Sequence, residues 1–389
     1  MNIDSRIHAI HSEITAIRRD IHAHPEPGFK ETRTADLVAA DLEKLGIAVH
    51  RGLGRTGVVG SLKCGSSDRA VGLRADMDCL VMDELNTFAH KSTVDGCMHA
   101  CGHDGHTAML LGAARHLAET RNFSGTVHFI FQPAEESYGG GREMVNDGLF
   151  DLFPVDAVYG MHNMPGYPVG EFAIVPGPIM ASSDRFYLTI LGVGGHGAWP
   201  HQAVDPVFVA GEIIVALQSI VSRTIDPMES VVVGVSQVHA GSAVNVIPDE
   251  ARLSGTVRTL SATMQDHVET RMRQVIEGIC QAHGAKADFT FERGYPPTVN
   301  HEAQTRLCSA VAAGLVGEQN VVSRGLPQLG GEDFSYMLLE RPGAYIFIGN
   351  GDGDGGCMVH NPHYDFNDDI IPLGIAYWTQ LVETELANN

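Results

Sequence analysis

The amino-acid sequence predicts an α/β protein in which a mostly parallel sheet is covered by helices and a smaller α+β unit is inserted into it. Three observations predict this. Short apolar runs such as "AVGLRAD" and "GTVHFIFQ" alternate with helical periodicities, the pattern of strands buried on both faces. Between Asp184 and Gly294 the order changes to β-α-β-β-α-β, a ferredoxin-like arrangement complete in itself. After it the α/β alternation resumes. The expected division is therefore 1–183 with 295–389 for the larger domain and 184–294 for the inserted one, and a length of 389 residues exceeds what one ordinary core serves.

Ile7, Ile10, Ile14, Ile17 and Ile21 recur at spacings of three and four, which predicts an amphipathic first helix. Thr32 to Leu45 reads as a second helix, stopped by Gly46. "AVGLRAD" then reads as a strand, "TAMLLGAARHLAET" as a helix, "GTVHFIFQ" as a strand, "GREMVNDGL" as a short helix and "VDAVYG" as a strand. In the inserted unit the order is "RFYLTILG", a helix from Pro206 to Arg223, "ESVVVGVSQVHAG", "EARLSGTVRTL", a helix from Met264 to His283, and "ADFTFERG". "GAYIFIG" and "IIPLGIAYWTQLVETEL" close the chain as strand and helix.

Composition narrows the function. A net charge of −21 argues against nucleic-acid or anionic-membrane partners, which call for a basic patch. The beginning of the sequence lacks a basic segment followed by an apolar run, so no secretory signal is expected. No apolar stretch of about 18 residues is evident, so no membrane span is expected either. The seven cysteines are scattered without a paired framework, which fits a reducing compartment and a cytoplasmic protein.

The chemistry concentrates in "MHACGHDGHTAML", where His99, Cys101, His103 and His106 crowd together. Such a cluster is a metal site, a catalytic thiol with its base, or an accident in a chain with 20 His. Other polar residues fall at predicted strand ends: Asp76 and Asp78 in "LRADMD", Glu135 and Glu136 in "FIFQPAEE", and His162 in "AVYGMH". Open parallel sheets bind ligands outside those ends. Adjacent carboxylates repel one another unless a cation or proton intervenes. Thiolate, imidazole and carboxylate together suit borderline divalent metals such as Zn, Mn, Co or Ni.

The ordered motifs "GLRADMD", "MHACGHDGHTAMLLGAA", "FQPAEE", "YGMHNMPGYPVGEF", "GGHGAWPH", "AVNVIPDEARLSGTVRT", "GGEDFSYML" and "HNPHYDFND" resemble the amidohydrolase branch of the aminoacylase/carboxypeptidase metallopeptidase family, most closely its hippurate hydrolases. The resemblance spans nearly the whole chain. It implies a two-metal catalytic domain with an inserted lid and dimerisation domain, and a homodimer or dimer-based oligomer. It implies metal ligands at Cys101, His103, Glu136, His162 and His360, with the Cys101 thiolate between two divalent ions. Glu135 is then the general base and Asp78 orients an imidazole, while His99 and His106 are loop and helix residues. His196 is expected to stabilise the oxyanion from the partner subunit, and Asn245 and Arg258 to recognise a substrate carboxylate.

The implied reaction is hydrolysis of an N-acyl amino acid, hippurate-like, N-benzoyl or N-acetyl, to a carboxylic acid and a free amino acid. A carboxypeptidase or dipeptidase, or a hydrolase of another N-acyl conjugate, is the alternative on the same fold. The chain departs from the family pattern at Cys79-Leu80-Val81, where Leu-Pro commonly follows "RADMDA", and at Ser137-Tyr138, where glycines are common. A nucleophilic Cys101 with His103 as base leaves Glu135, Glu136, His162 and His360 without a role. A metal-storage protein has no need of a spare carboxylate beside Glu136.

Overall fold

A computed structural model describes residues 3–136, 139–352 and 357–387; the departures at Ser137 and Tyr138 lie outside them. The chain forms two compact units, Met1–Ile179 with Val299–Leu326 and Asp333–Asn389, and Met180–Thr298 with Pro327–Glu332.

The larger unit is built on an eight-stranded sheet in the order Ala48–Leu53, Gly57–Cys64, Gly125–Gln132, Ala70–Asp76, Ala157–Met164, Gly343–Gly349, Phe172–Ala173 and Val321–Val322. The four central long strands run parallel. Ala70–Asp76, Ala157–Met164 and Gly343–Gly349 are buried at every position, which explains why they read as unbroken apolar runs. The edge hairpin Ala48–Leu53/Gly57–Cys64 is antiparallel and was not anticipated. Its first strand is largely exposed, so it carries no apolar signature. Ser5–Ala23 follows the isoleucine spacing, with Ile7, Ile14 and Ile21 buried. Together with His103–Thr120 and Ile371–Glu385 it covers the sheet.

Two expected boundaries need correction. The helix expected from Thr107 begins at His103, because Gly102 adopts φ +91° and turns the chain directly into it. A Cβ at Gly102 would lie 2.2 Å from Asn163 Oδ1, so only glycine fits. His162, expected at a strand end, lies inside Ala157–Met164, which continues to Met164. Asp76 and Gln132 are register partners on adjacent parallel strands. The loops carrying Asp78 and Glu135-Glu136 therefore leave the sheet side by side.

The smaller unit is a four-stranded antiparallel sheet in the order Val231–Ala240, Glu250–Thr259, Ser183–Leu191, Lys286–Tyr295. Its helices Pro206–Arg223 and Ala262–His283 share one core with the inward residues Phe186, Leu188, Ile190, Leu253 and Val257. Inward and outward residues alternate along Glu250–Thr259. Pro206–Arg223 corrects the expectation that no long apolar stretch exists. With mean hydropathy 1.4 it is long and apolar enough, by length and composition, to cross a membrane. In this fold Val209, Ala210, Ile213, Leu217 and Ile220 are buried in the unit's core, while Val207, Phe208 and Val215 remain exposed.

Candidate metal centre

Cys101, His103 and His162 bring donor atoms within 4.8 Å of one another, and so do Cys101, Glu136 and His360. A third group joins His103, Glu135 and Glu136. Cys101 belongs to both of the first two groups. The structure thus brings together the five residues Cys101, His103, Glu136, His162 and His360, with Glu135 beside them.

Hydrogen bonds fix which atom of each ring faces the cluster. His162 Nδ1 donates to the Asn163 carbonyl at 2.5 Å, so its Nε2 carries a lone pair, 3.3 Å from Cys101 Sγ. His103 Nδ1 donates to the Asp78 carbonyl at 3.0 Å and lies 3.2 Å from Asp78 Oδ1. His103 Nε2 is buried without a hydrogen-bond partner. A buried ring nitrogen without a hydrogen-bond partner is unfavourable, and a cation supplies one. Soft thiolate beside imidazole and carboxylate is the donor chemistry of borderline divalent ions; the residues fit such a metal.

Asp78 does more than orient one ring. Its Oδ2 accepts the Glu136 N–H at 3.0 Å, so one carboxylate ties the His103 helix to the Glu135-Glu136 turn. That turn is entered through Ala134 at φ +53°, a conformation a non-glycine residue seldom adopts. His360 is also left-handed, at φ +66°, and its N–H donates to Ala100 O at 2.7 Å, which anchors it to the loop bearing Cys101. Neither backbone feature is visible in the residue types.

Electrostatics follow the packing. Burial opposes charge on His103, yet Asp76, Asp78 and Glu136 outweigh it and carry the imidazole up to about 10. Burial and the nearby His106 push His162 well down, and burial with Glu136 and Glu135 pushes the Cys101 thiol up. Without a cation the site thus holds protons where metal ligands must give them up.

His106 has both nitrogens occupied, Nδ1 by Asp76 at 2.6 Å and Nε2 by Asn163, so it has no lone pair to offer a metal. His99 is buried, joins none of these groups, and burial lowers it to about 4. Sequence reasoning missed Asp333 and Arg74. Arg74 pairs with Asp76 at 2.6 Å and Asp333 at 3.1 Å and bonds Gln132 at 2.8 Å. The Asp333 N–H donates to Glu135 Oε1 at 3.4 Å. Their sequence signals were the quoted motifs "GLRADMD" and "GGEDFSYML", in which neither residue was given a role.

The other expected residues lie in the smaller unit. His196 is exposed and pairs with Val246 across a short two-stranded ribbon. Its Nδ1 accepts the Ala198 N–H at 3.1 Å, which leaves the proton on Nε2. Asn245 is adjacent, its carbonyl accepting from Gly197 N at 2.8 Å. Arg258 lies elsewhere, at the opposite end of Glu250–Thr259, opposite Val232. Eight residues of strand between Glu250 and Arg258 span roughly 25 Å. The structure therefore brings His196 and Asn245 together but not Arg258.

The model of "Peptidase family M20/M25/M40" matches residues 72–384. A hippurate hydrolase of Campylobacter jejuni is 41% identical over 98% of both chains. An N-acetylcysteine deacetylase of Bacillus subtilis is 38% identical over 96% of this chain and 97% of its own, and a thermostable carboxypeptidase of Saccharolobus solfataricus is 39% identical over 95% and 94%. Among solved structures, a dinuclear metal-binding peptidase of Bacillus subtilis superposes with TM-score 0.85 at 35% identity, covering 97% of this chain and 99% of that one. On this match and these near-complete overlaps, the chain is a member of peptidase family M20/M25/M40.

Proposed function

We propose that this protein is a metal-dependent amidohydrolase that cleaves N-acyl amino acids into a carboxylic acid and a free amino acid. The observation that carries the reading is Cys101, whose sulfur belongs to both donor groups. Two triads sharing one thiolate are the arrangement of a metal pair: Cys101, His103 and His162 on one side, Cys101, Glu136 and His360 on the other. Mn, Zn, Co and Ni all suit this donor set. When bound, such a pair polarises the amide carbonyl and acidifies water.

The chain's own groups supply the rest. Glu135, buried and held by the Asp333 N–H, takes the proton of the attacking water and delivers it to the departing nitrogen. Asp78 keeps His103 in the tautomer that faces the site. His196, with its proton on Nε2, is suited to donate to the developing oxyanion. Arg258 is half-buried, with Nη1 donating to the Val257 carbonyl at 3.1 Å, and its remaining N–H donors suit a substrate carboxylate. Arg258 and the His196–Asn245 pair stand at opposite ends of one strand. A single site that uses both draws one of them from each subunit of a homodimer. The scattered cysteines, without a paired framework, favour a reducing, cytoplasmic setting.

Chelation is expected to abolish amidase activity, and one of Mn, Zn, Co or Ni to restore it. Hydrolysis of N-benzoyl, N-acetyl or indole-acetyl amino acids above that of dipeptides favours the amidohydrolase. The reverse order favours the carboxypeptidase reading suggested by the Saccharolobus relative. Activity that survives chelation with metal removal verified sinks both. If Arg258 reads the carboxylate, Arg258→Ala lowers kcat/KM for N-acyl amino acids far more than for their uncharged amides; equal losses contradict it.

A further inference from the structure

Two cysteines outside the metal cluster meet across the segment that leads to it. Leu80 and Met98 form an isolated antiparallel bridge, with reciprocal backbone hydrogen bonds of 3.0 Å. Their neighbours Cys79 and Cys97 consequently point to the same, opposite face and stand diagonally across the bridge. Burial, and the Cys97 thiol beside it, push the Cys79 thiol up, and both are free thiols.

We propose that Cys79 and Cys97 form a reversible oxidative modification site that closes as a disulfide when the protein meets a peroxide. The two positions are unequal, and the inequality sets the order of events. Cys79 is 3% exposed; its N–H is fixed to Glu26 O at 3.0 Å and it bridges Pro27. Cys97 is half-buried and closes a turn on Val94, its N–H donating to the Val94 carbonyl at 3.2 Å, with Val94 and Asp95 exposed. Peroxide reaches Cys97 first: its sulfur takes one oxygen to become a sulfenic acid, and the peroxide is reduced to water. The Cys79 sulfur then displaces that hydroxyl, which leaves as a second water, and two thiols have been oxidised for one peroxide reduced.

A diagonal pair, roughly 7–8 Å apart, lies beyond the usual disulfide span, so one side must move. The anchored Cys79 cannot give, whereas the turn before Cys97 can. The Asp78 carbonyl that holds His103 is thereby spared. The closed bond ties segment 80–96 into a loop and removes freedom from the unfolded chain.

The test uses full-length, metal-loaded protein titrated with hydrogen peroxide, followed by non-reducing peptide mapping. The expected product is one linked peptide pair joining Cys79 to Cys97, with two thiols lost per chain and both recovered by dithiothreitol. The melting midpoint should rise by a few degrees on oxidation and fall back on reduction. Cys97→Ser should abolish the link and the shift, and Cys79→Ala should leave Cys97 oxidised beyond the sulfenic stage. Cys97 sulfinic acid beside an intact Cys79 in the parent protein, or linkage through other cysteines, would overturn the proposal.

Discussion

Glu135 and Glu136 are neighbours in sequence and end in different company. Glu136 stands with Cys101 and His360, its N–H held by Asp78, whereas Glu135 reaches His103 on one side and the Asp333 backbone on the other. The left-handed Ala134 before them sets the direction of that turn. Two like charges so close are tolerated when one neutralises a cation and the other carries a travelling proton. Glu135→Gln preserves shape and hydrogen bonding but cannot accept that proton. The variant is expected to keep the fold and its metal content while losing about 10²–10⁴ in kcat. Metal analysis with steady-state kinetics checks this, and a nearly active, fully metallated variant would remove Glu135 from proton transfer.

Between elements, the first helix is locked to the metal-bearing helix by buried charge. Arg18 and His22 of Ser5–Ala23 meet Asp104 of His103–Thr120 at 3.4 and 2.8 Å, and His22 Nε2 faces Glu84 at 3.3 Å. Burial would lower His22, but Asp104 and Glu84 overcome it and raise the imidazole to about 9. Asp104 is held below its usual range by the same contact, burial notwithstanding, so the two shifts describe one interaction. A raised histidine contributes fully below its unfolded pKa of about 6.5 and loses that contribution as pH climbs through 9. Thermal stability of the metal-loaded protein should therefore fall between pH 6.5 and 9, by an amount on the order of 3 kcal/mol from this pair. His22→Gln should flatten that fall. An unchanged slope in the variant would assign the pH dependence to other groups. Metal loading matters because His103, carried up to about 10 by its carboxylates, no longer titrates once Nε2 is coordinated. The alternation of apolar strand and amphipathic helix made both helices legible in the sequence. The lock between them was not, because Arg18, His22 and Asp104 look like surface residues until the two helices are packed together.

Across the whole molecule, legibility follows the same division. The gathering of Cys101, His103, Glu136 and His162 was legible because their loops and strand ends converge, whereas their proposed role as ligands, and His360 with them, came from the motifs shared with the family. Asp333 and Arg74 could not, since their role arises only when residue 333 folds back onto residue 135. The exposed edge strand Ala48–Leu53 gave no apolar alternation to read. The proposed role of His196 in a partner subunit's site is tested at this scale. His196 lies beside Asn245, roughly 25 Å along one strand from Arg258, so one subunit cannot present all three to one small substrate while that strand is intact. A shared site makes a definite prediction. Glu135→Gln and His196→Ala are each expected to be inactive, the second losing about 10²–10³ with its oxyanion donor. Mixed under conditions that exchange subunits, they form heterodimers in which one site lacks both groups and the other keeps both: intact Glu135 from one chain and intact His196 from its partner. Activity should then return, to at most half the parent level per heterodimer, and should track the heterodimer fraction measured by native mass spectrometry. Heterodimers that form yet stay inactive would return His196 to its own subunit's site or place it outside the chemistry.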